Sequence, residues 1–430
     1  MMINDHSLLL IAFSTVFIAY LDPGSGSMLL SALIGIIATL FFIIKGLFFK
    51  LLNLTGFLTV KKNRLKESSD IIFYSEGKYY WNVFKPVIEE FENRKIRCTY
   101  LSGSKDDPGL QQDFEYIKSK YIGEGNKAFF TLNTLKAKIC VMTTPGLDVL
   151  QIKRSKGVDK YCHITHSTAG CSGYSTYGID YYDSILTSGM GDLKMIRELE
   201  DVRNLPRKKV IPVGCTYLDV LRANLKQDSD SPAFFDNELK TIILAPTWGK
   251  HGLLNREGDR LLSELTGESK YNVIVRPHPQ SYIVEKKLIS NLKVKFPDSG
   301  TLKWDANPNG IISMKQADVM ISDFSGVIFD FLFLFERPVI SFVEHFDKRG
   351  KDDMDLKDEP WPITMLHKLG ASICDSDAGL INEKVDKIII DNPSFKHILK
   401  ELKNNMDMYP NESGVKAADA IIESLQQLNK

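Results

Sequence analysis

The chain has no net charge, no paired cysteine pattern and no Lys or Arg ahead of its first apolar run, and each of these gaps excludes something. Lys+Arg and Asp+Glu both number 54 in 430 residues. No global positive field therefore draws nucleic acid to the surface, and any attraction to anions must be local. The six cysteines (98, 140, 162, 171, 215 and 374) form no Cys-x-x-Cys and no paired spacing. That argues against a zinc site or a disulfide framework and for reduced cytoplasmic thiols. There is no internal repeat and no long low-complexity segment, and the glycine-rich stretch Gly170–Gly178 is too irregular for a dinucleotide fingerprint. Asp228-Ser-Asp230, Asp353-Met-Asp355 and Asp375-Ser-Asp377 have a form that can hold a divalent ion, but each falls in a charged stretch that reads as a solvated loop. No metal and no cofactor is expected.

What is present is the balance of a globular chain, 43% hydrophobic and 25% charged, long enough for two domains and an appendage. The amino-terminal part, 1–66, differs from the rest. Leu8–Leu21 is apolar, Asp22–Ser27 is a turn, and Met28–Ile44 carries no charge. At 1.5 Å per residue this second run covers about 25 Å before Lys45. It reads as a membrane span within an anchor of one or two apolar segments, 8–21 and 28–52. A cleaved signal peptide is the competing reading, weakened by the absence of Lys or Arg in Met1–Ser7. Lys45, Lys50, Lys61, Lys62, Arg64 and Lys66 follow the second run, and the positive-inside rule puts that side, with the large domain, in the cytoplasm at the inner membrane.

From Asp70 onward, short β-rich runs alternate with helical stretches, the pattern of βαβ units on a mainly parallel sheet. One series of strands is expected at Ile71–Ser75, Arg97–Leu101, Ala128–Thr131, Ile139–Thr143, Tyr161–Thr165 and Ser184–Thr187. A second is expected at Val210–Val213, Ile242–Pro246, Asn272–Arg276, Val319–Ser322 and Pro338–Phe342. The fold class is therefore α/β, with two Rossmann-like domains at 67–205 and 206–394 facing a cleft. A C-terminal helical segment, 395–430, follows and can cross back to the first domain. The run Lys348–Glu359 reads as a mobile surface loop, or as a lid if it borders the cleft.

Three segments at strand ends collect the chemistry: Ile164–Gly170, Val275–Pro279 and Ile321–Asp330. Open α/β sheets place ligands at such ends. His166 can accept a proton from a hydroxyl at cytoplasmic pH, with a histidine packed at a strand end as the plainer alternative. His163 reads as its partner or as a surface residue. Ser167, Thr168 and Gly170 make an acceptor-side loop whose amides can approach an anion. Arg276 and His278, held by Pro277 and Pro279, can neutralise charge on a breaking pyrophosphate, unless the arginine only pairs a helix end. Ser322, Asp323, Ser325 and Gly326 open a helix whose amides suit a pyrophosphate, while N-capping alone also explains them. Thr247 can border a nucleotide. Core packing is expected of its neighbour Trp248.

Together, in this order, the segments resemble the CDP-glycerol glycerophosphotransferases of teichoic-acid type. That family's pattern runs His-Gly-Thr-Pro, then Arg-x-His-Pro, then Ser-Asp-x-Ser-Ser with an aspartate soon after. Here the second motif matches fully, Gly326 stands at the last serine, and Ser167-Thr168-Ala169 follows His166. Leu244–Trp248 resembles the family's apolar strand ending in Ala-Pro-Thr-aromatic. The resemblance covers about residues 70 to 425. It implies a GT-B-like architecture, His166 as general base, His278 as second catalytic histidine, and Asp330 in contact with ligand hydroxyls, an exposed helix-face carboxylate being the alternative. The activity implied is membrane-anchored transfer of glycerol phosphate from CDP-glycerol to a hydroxyl on a cell-surface polymer or lipid-linked precursor, releasing CMP. A nucleotide-sugar or CDP-ribitol donor on the same architecture is a second reading. A non-catalytic binding protein on a degenerate transferase fold is a third, motivated by the residues after His166.

Overall fold

The computed structural model describes residues 32–47, 69–227, 232–307, 309–344, 346, 348–370, 372–390 and 393–430. Residues 32–47 form one helix, exposed along its length. No helix of the described residues is long and apolar enough to cross a membrane. The expected segment 8–21 and much of 28–52 lie outside the described residues, so the transmembrane hairpin is unsupported.

Residues 69–430 form a unit of their own, and within it are two parallel sheets. The first contains β1 (Ile71–Ser75), β2 (Cys98–Ser102), β3 (Ile117–Tyr121), β4 (Lys136–Met142), β5 (Gly157–Ile164), β6 (Ser184–Thr187) and β7 (Lys209–Pro212). Their order is β3-β2-β1-β4-β5-β6-β7, and every pairing is parallel. The second contains β8 (Thr241–Leu244), β9 (Asn272–Val275), β10 (Leu302–Trp304), β11 (Val319–Ser322), β12 (Val339–Phe342) and β13 (Ser372–Ile373), in the order β10-β9-β8-β11-β12-β13. It too is parallel throughout. The central strands are apolar runs because helices cover both of their faces: β1, β8, β9, β11 and β12 are buried at every residue. In each sheet the order reverses once, between β1 and β4 and between β8 and β11. A doubly wound sheet opens a crevice at that reversal.

Three expectations are corrected. Lys209–Pro212, expected to open the second sheet, pairs with β6 and closes the first, so the first sheet runs past the boundary drawn at 205. Ala128–Thr131 lies in the helix Asn126–Asn133. The strands β3, β10 and β13 were not expected.

The C-terminal helices Pro393–Met406 and Ser413–Leu428 complete the unit. The second returns to the first sheet and packs its small face, Ala417, Ala418 and Ile421, with Phe84, Val87 and Phe91 of the helix Trp81–Asn93. A Cβ at Gly414 would sit 2.6 Å from the Pro86 carbonyl oxygen, so the close approach of these helices requires glycine there. Each buried phenylalanine in this layer contributes roughly 1.5–3 kcal/mol.

Candidate active site

The reversal of the second sheet opens into a cavity of about 500 Å³. Ala245 and Pro246 after β8, Arg276–Pro279 after β9, and Ser325, Val327 and Asp330 after β11 line it, with Asn309–Ile311 beside them. Tyr217, Leu221 and Asn224 of the helix Thr216–Gln227 and Asn82 of the first domain close the remaining side.

The Arg-Pro-His-Pro turn fixes both of its nitrogen-bearing side chains. Arg276 pairs with Asp305 and donates through Nη2 to the Asn307 carbonyl at 2.8 Å. The guanidinium is therefore anchored at the cavity wall with its charge partly met. His278 Nδ1 accepts the Gln280 amide at 3.1 Å, which leaves its proton on Nε2 as a donor. Burial lowers its pKa, against an opposing pull from Glu285, so the ring is neutral near pH 7. Trp248 is 46% exposed with its ring 6.3 Å from that of His278, so the expectation of core packing is corrected: it stands at the rim.

The helix Val327–Phe335 presents its first turn to the cavity. Opening amides of a helix have no intrahelical acceptor, which makes this wall attractive to anions. Ser322 and Asp323 do different work from Ser325 and Gly326. The Ser322 hydroxyl donates to the Ala245 carbonyl at 2.7 Å. Asp323 is buried, and its two oxygens accept the amides of Thr247 (2.7 Å) and Leu253 (2.9 Å). Burial raises its carboxyl pKa while these amides oppose the rise. Both residues tie the loop after β8 to the end of β11, so they shape the cavity from behind. Thr247 joins this tie through its amide and is not part of the cavity lining.

Asp330 is buried, not on an exposed face, and burial raises its pKa to about 6, against the Thr168 hydrogen bond. Its Oδ1 accepts the Thr168 hydroxyl at 2.7 Å, a bond from the first domain to the second. Next to it, a Cβ at Gly326 would come 3.1 Å from Ser167 Oγ. Two of the three positions where the chain departs from the motif pattern, 167 and 326, thus face each other across the domains. A hydroxyl stands at 167 where the pattern has glycine, and glycine stands at 326 where it has serine.

His166 follows β5, with Thr143 after β4 beside it and Tyr80 after β1 edge-on at 5.4 Å. Its Nδ1 lies 3.1 Å from the Thr143 hydroxyl and 3.2 Å from that of Tyr174, whose ring stacks on it at 5.3 Å. Burial lowers its pKa and the Thr143 contact opposes this. His163 is fully buried, not a surface residue, with Nε2 3.1 Å from the same Tyr174 hydroxyl. His166 is outside the cavity lining, and its loop reaches that wall through Ser167 and Thr168. Sequence reasoning missed Thr143 and Tyr174; the position of Thr143 just past a buried strand was the available signal.

The loop expected to be mobile is clasped to the first domain through two buried residues, Asp352 and Asp353. Asp352 accepts the amides of Tyr177 (2.7 Å) and Gly178 (3.1 Å) and meets Arg203 at 2.8 Å. Arg203 also binds Asp180 and Asp355, each at 2.7 Å. Asp353 accepts the Gly173 amide at 2.8 Å. Of the three Asp-x-Asp segments, Asp353 and Asp355 are engaged in this way, Asp375 pairs with Arg256, and Asp228–Asp230 lies outside the described residues. Among the described residues no cluster of His, Cys, Asp or Glu has the form of a metal site.

Two facing parallel-sheet domains with a cavity at the switch point of the second define a GT-B-like architecture. The solved structures similar to this chain agree. The wall teichoic acid polymerase TagF, soaked with CDPG, aligns at TM-score 0.53 and 16% identity over 84% of this chain and 90% of that one. A putative UDP-N-acetylglucosamine 2-epimerase from Listeria monocytogenes aligns at TM-score 0.54 and 9% identity, over 84% and 96%. The calicheamicin glycosyltransferase CalG4 aligns at TM-score 0.50 and 10% identity, over 85% and 100%. At these identities the likeness shows the fold. No curated protein sequence matches the chain. Residues 177–360, however, match the family model described as CDP-Glycerol:Poly(glycerophosphate) glycerophosphotransferase. That span takes in Thr247, Arg276, His278 and Ser322 through Asp330 and begins after His166. The resemblance read from the motifs is thereby shown over that span, which is similar to the CDP-glycerol glycerophosphotransferases.

Proposed function

We propose that the protein transfers glycerol phosphate from CDP-glycerol to a hydroxyl of a cell-surface polymer or lipid-linked precursor, on the cytoplasmic side of the inner membrane. His166 Nε2 takes the proton of the acceptor hydroxyl. The oxygen attacks the phosphorus that bears glycerol, the bond to the bridging oxygen breaks, and CMP leaves. The His278 Nε2–H and the amides opening Val327–Phe335 meet the negative charge that gathers on the leaving phosphate, with Arg276 at the wall adding positive potential. Neither histidine needs a proton removed before reaction, because burial keeps both neutral. The exposed apolar helix 32–47 and the lysines after it support a membrane attachment that would hold the enzyme beside its acceptor.

The observation that carries this reading is the cavity: the fully matched Arg-Pro-His-Pro motif and a helix start share one wall, and the His166 loop is bonded to that wall through Thr168 and Asp330. The test is CMP release from CDP-glycerol with membranes as acceptor. His166→Ala and His278→Ala should each lower turnover by about 100-fold or more. Equal turnover in all three proteins would remove these histidines from the mechanism. A thermal-shift series across CDP-, UDP- and CMP-linked donors settles donor choice, since ligand at 100 times its Kd stabilises by about 2.7 kcal/mol.

A further inference from the structure

Behind His166 lies a polar chain that donor binding does not explain. Thr143 Oγ1 is 2.8 Å from the Ile164 carbonyl, which can only accept. The single Thr143 proton is committed there, so toward His166 Nδ1, at 3.1 Å, its oxygen acts as acceptor. Nδ1 therefore carries the ring hydrogen. The Tyr174 oxygen, 3.2 Å from Nδ1, is a second acceptor for it, and the Tyr174 proton goes to His163 Nε2 at 3.1 Å. That arrangement leaves His163 Nδ1 buried without a partner among the described residues. Such a cost inside a packed layer marks a network kept for more than packing.

We propose that Tyr174, backed by His163, is a positioning residue: with Thr143 it accepts the Nδ1 hydrogen of His166 and so presents a bare Nε2 to the acceptor hydroxyl. This rests on the reading of His166 as the base. When Nε2 takes the proton, the imidazolium strengthens both Nδ1–H bonds, and the two oxygens stabilise the charge as it forms. His163 supports the arrangement as a permanent acceptor: burial, with a smaller push from His166, lowers its pKa to about 3. The ionisable neighbours are Tyr80 edge-on to His166 with Glu76 near it, Tyr182 at 4.9 Å from the His163 ring, and Asp192 and Cys171 near Tyr174.

The experiment measures kcat and KM for CDP-glycerol, and the pH profile of kcat/KM, in wild type, Tyr174→Phe, Thr143→Ser and His166→Ala. Tyr174→Phe should lower kcat on the order of ten- to a hundredfold with KM unchanged. Its acid limb should move to lower pH, because the imidazolium loses an acceptor and the ring protonates less readily. Thr143→Ser keeps the acceptor oxygen, so its kcat should fall by less than that of Tyr174→Phe, and an equal or larger fall counts against the role given to the two oxygens. Wild-type kcat and pH profile in Tyr174→Phe, beside an inactive His166→Ala, overturn the positioning role alone. Wild-type turnover in His166→Ala overturns the base on which it rests. Nitrogen-15 histidine spectra of the unaltered protein, with the His166 signals assigned by their loss in His166→Ala, give a readout independent of how Tyr174→Phe folds. A hydrogen on Nδ1 is expected, and a hydrogen on Nε2 overturns the proposal.

Discussion

Replacing Asp192 by asparagine should weaken the protein's loss of stability as pH rises. Asp192 stands in the first turn of the helix Gly191–Val202 and is fully buried. Its Oδ1 accepts the Cys171 amide and the Trp361 indole, each at 3.2 Å, while Oδ2 has no partner among the described residues. Gly170, at φ +68°, lies so close that a Cβ would fall 2.1 Å from that oxygen. Burial raises the carboxyl pKa from 3.8 to about 7, with the Cys171 amide and Trp361 opposing. The folded pKa is above the unfolded one, so folding takes up a proton between the two. This stabilisation is complete below about pH 4 and is lost as pH rises through 7. Three units at 1.36 kcal/mol give on the order of 4 kcal/mol. Asparagine imitates the protonated acid, keeps the Oδ1 acceptor and has no proton to lose. Urea unfolding from pH 4 to 8.5 should show the two proteins close at pH 4 and the variant ahead by an amount that grows up to about pH 7 and then levels off, with similar m-values. Asp330 and Asp352 also titrate in this range, but they are common to both proteins and cancel in the difference. Parallel stability curves across the window would refute the assignment.

Two further outcomes test the contacts between the domains. Arg203→Met leaves the buried carboxylates of Asp180 and Asp352 without their cation. It should cost about 3–5 kcal/mol in denaturant unfolding, and a loss below about 1 kcal/mol would mean the clasp is solvated and weak. Gly326→Ser crowds Ser167 and should lower both turnover and melting temperature, while adding Ser167→Gly in the same chain should restore them. Additive losses in that cycle would show that the two sites are independent.

Much of this arrangement was legible in the sequence because it is local. A parallel strand buried on both faces must be an apolar run, and a motif at its end inherits a place in the crevice. His278, Arg276 and the Ser325–Asp330 helix start therefore came together as their positions implied. What was not legible depends on distant partners. The lysine-studded β3, at a sheet edge, buries only Ile117 and lacks the apolar run of a central strand. The Ala128–Thr131 stretch is short enough to suit either element, and helical packing under the first sheet decided it. The pairing of β7 with β6 is a choice of neighbour that no single strand encodes. Lys348–Glu359 reads as solvated from its charges alone. Arg203, about 150 residues earlier in the chain, is what lets those carboxylates be buried. Asp323 fits phosphate binding and loop bracing equally well until the amides of Thr247 and Leu253 are in view.

The last helix has a consequence for how the molecule is made. Ser413–Leu428 supplies part of the apolar cover of a layer whose other members, Ile71 to Val213, are encoded far earlier in the chain, and it is fastened there by Arg94 and Asp419 at 2.6 Å. As the polypeptide leaves the ribosome, the lobe synthesised first thus remains unsealed, with Phe84 and Val87 lacking their final neighbours, until residues 413–428 have emerged. Completion runs opposite to the order of synthesis, and any nascent product stopped before residue 413 carries a sticky flank.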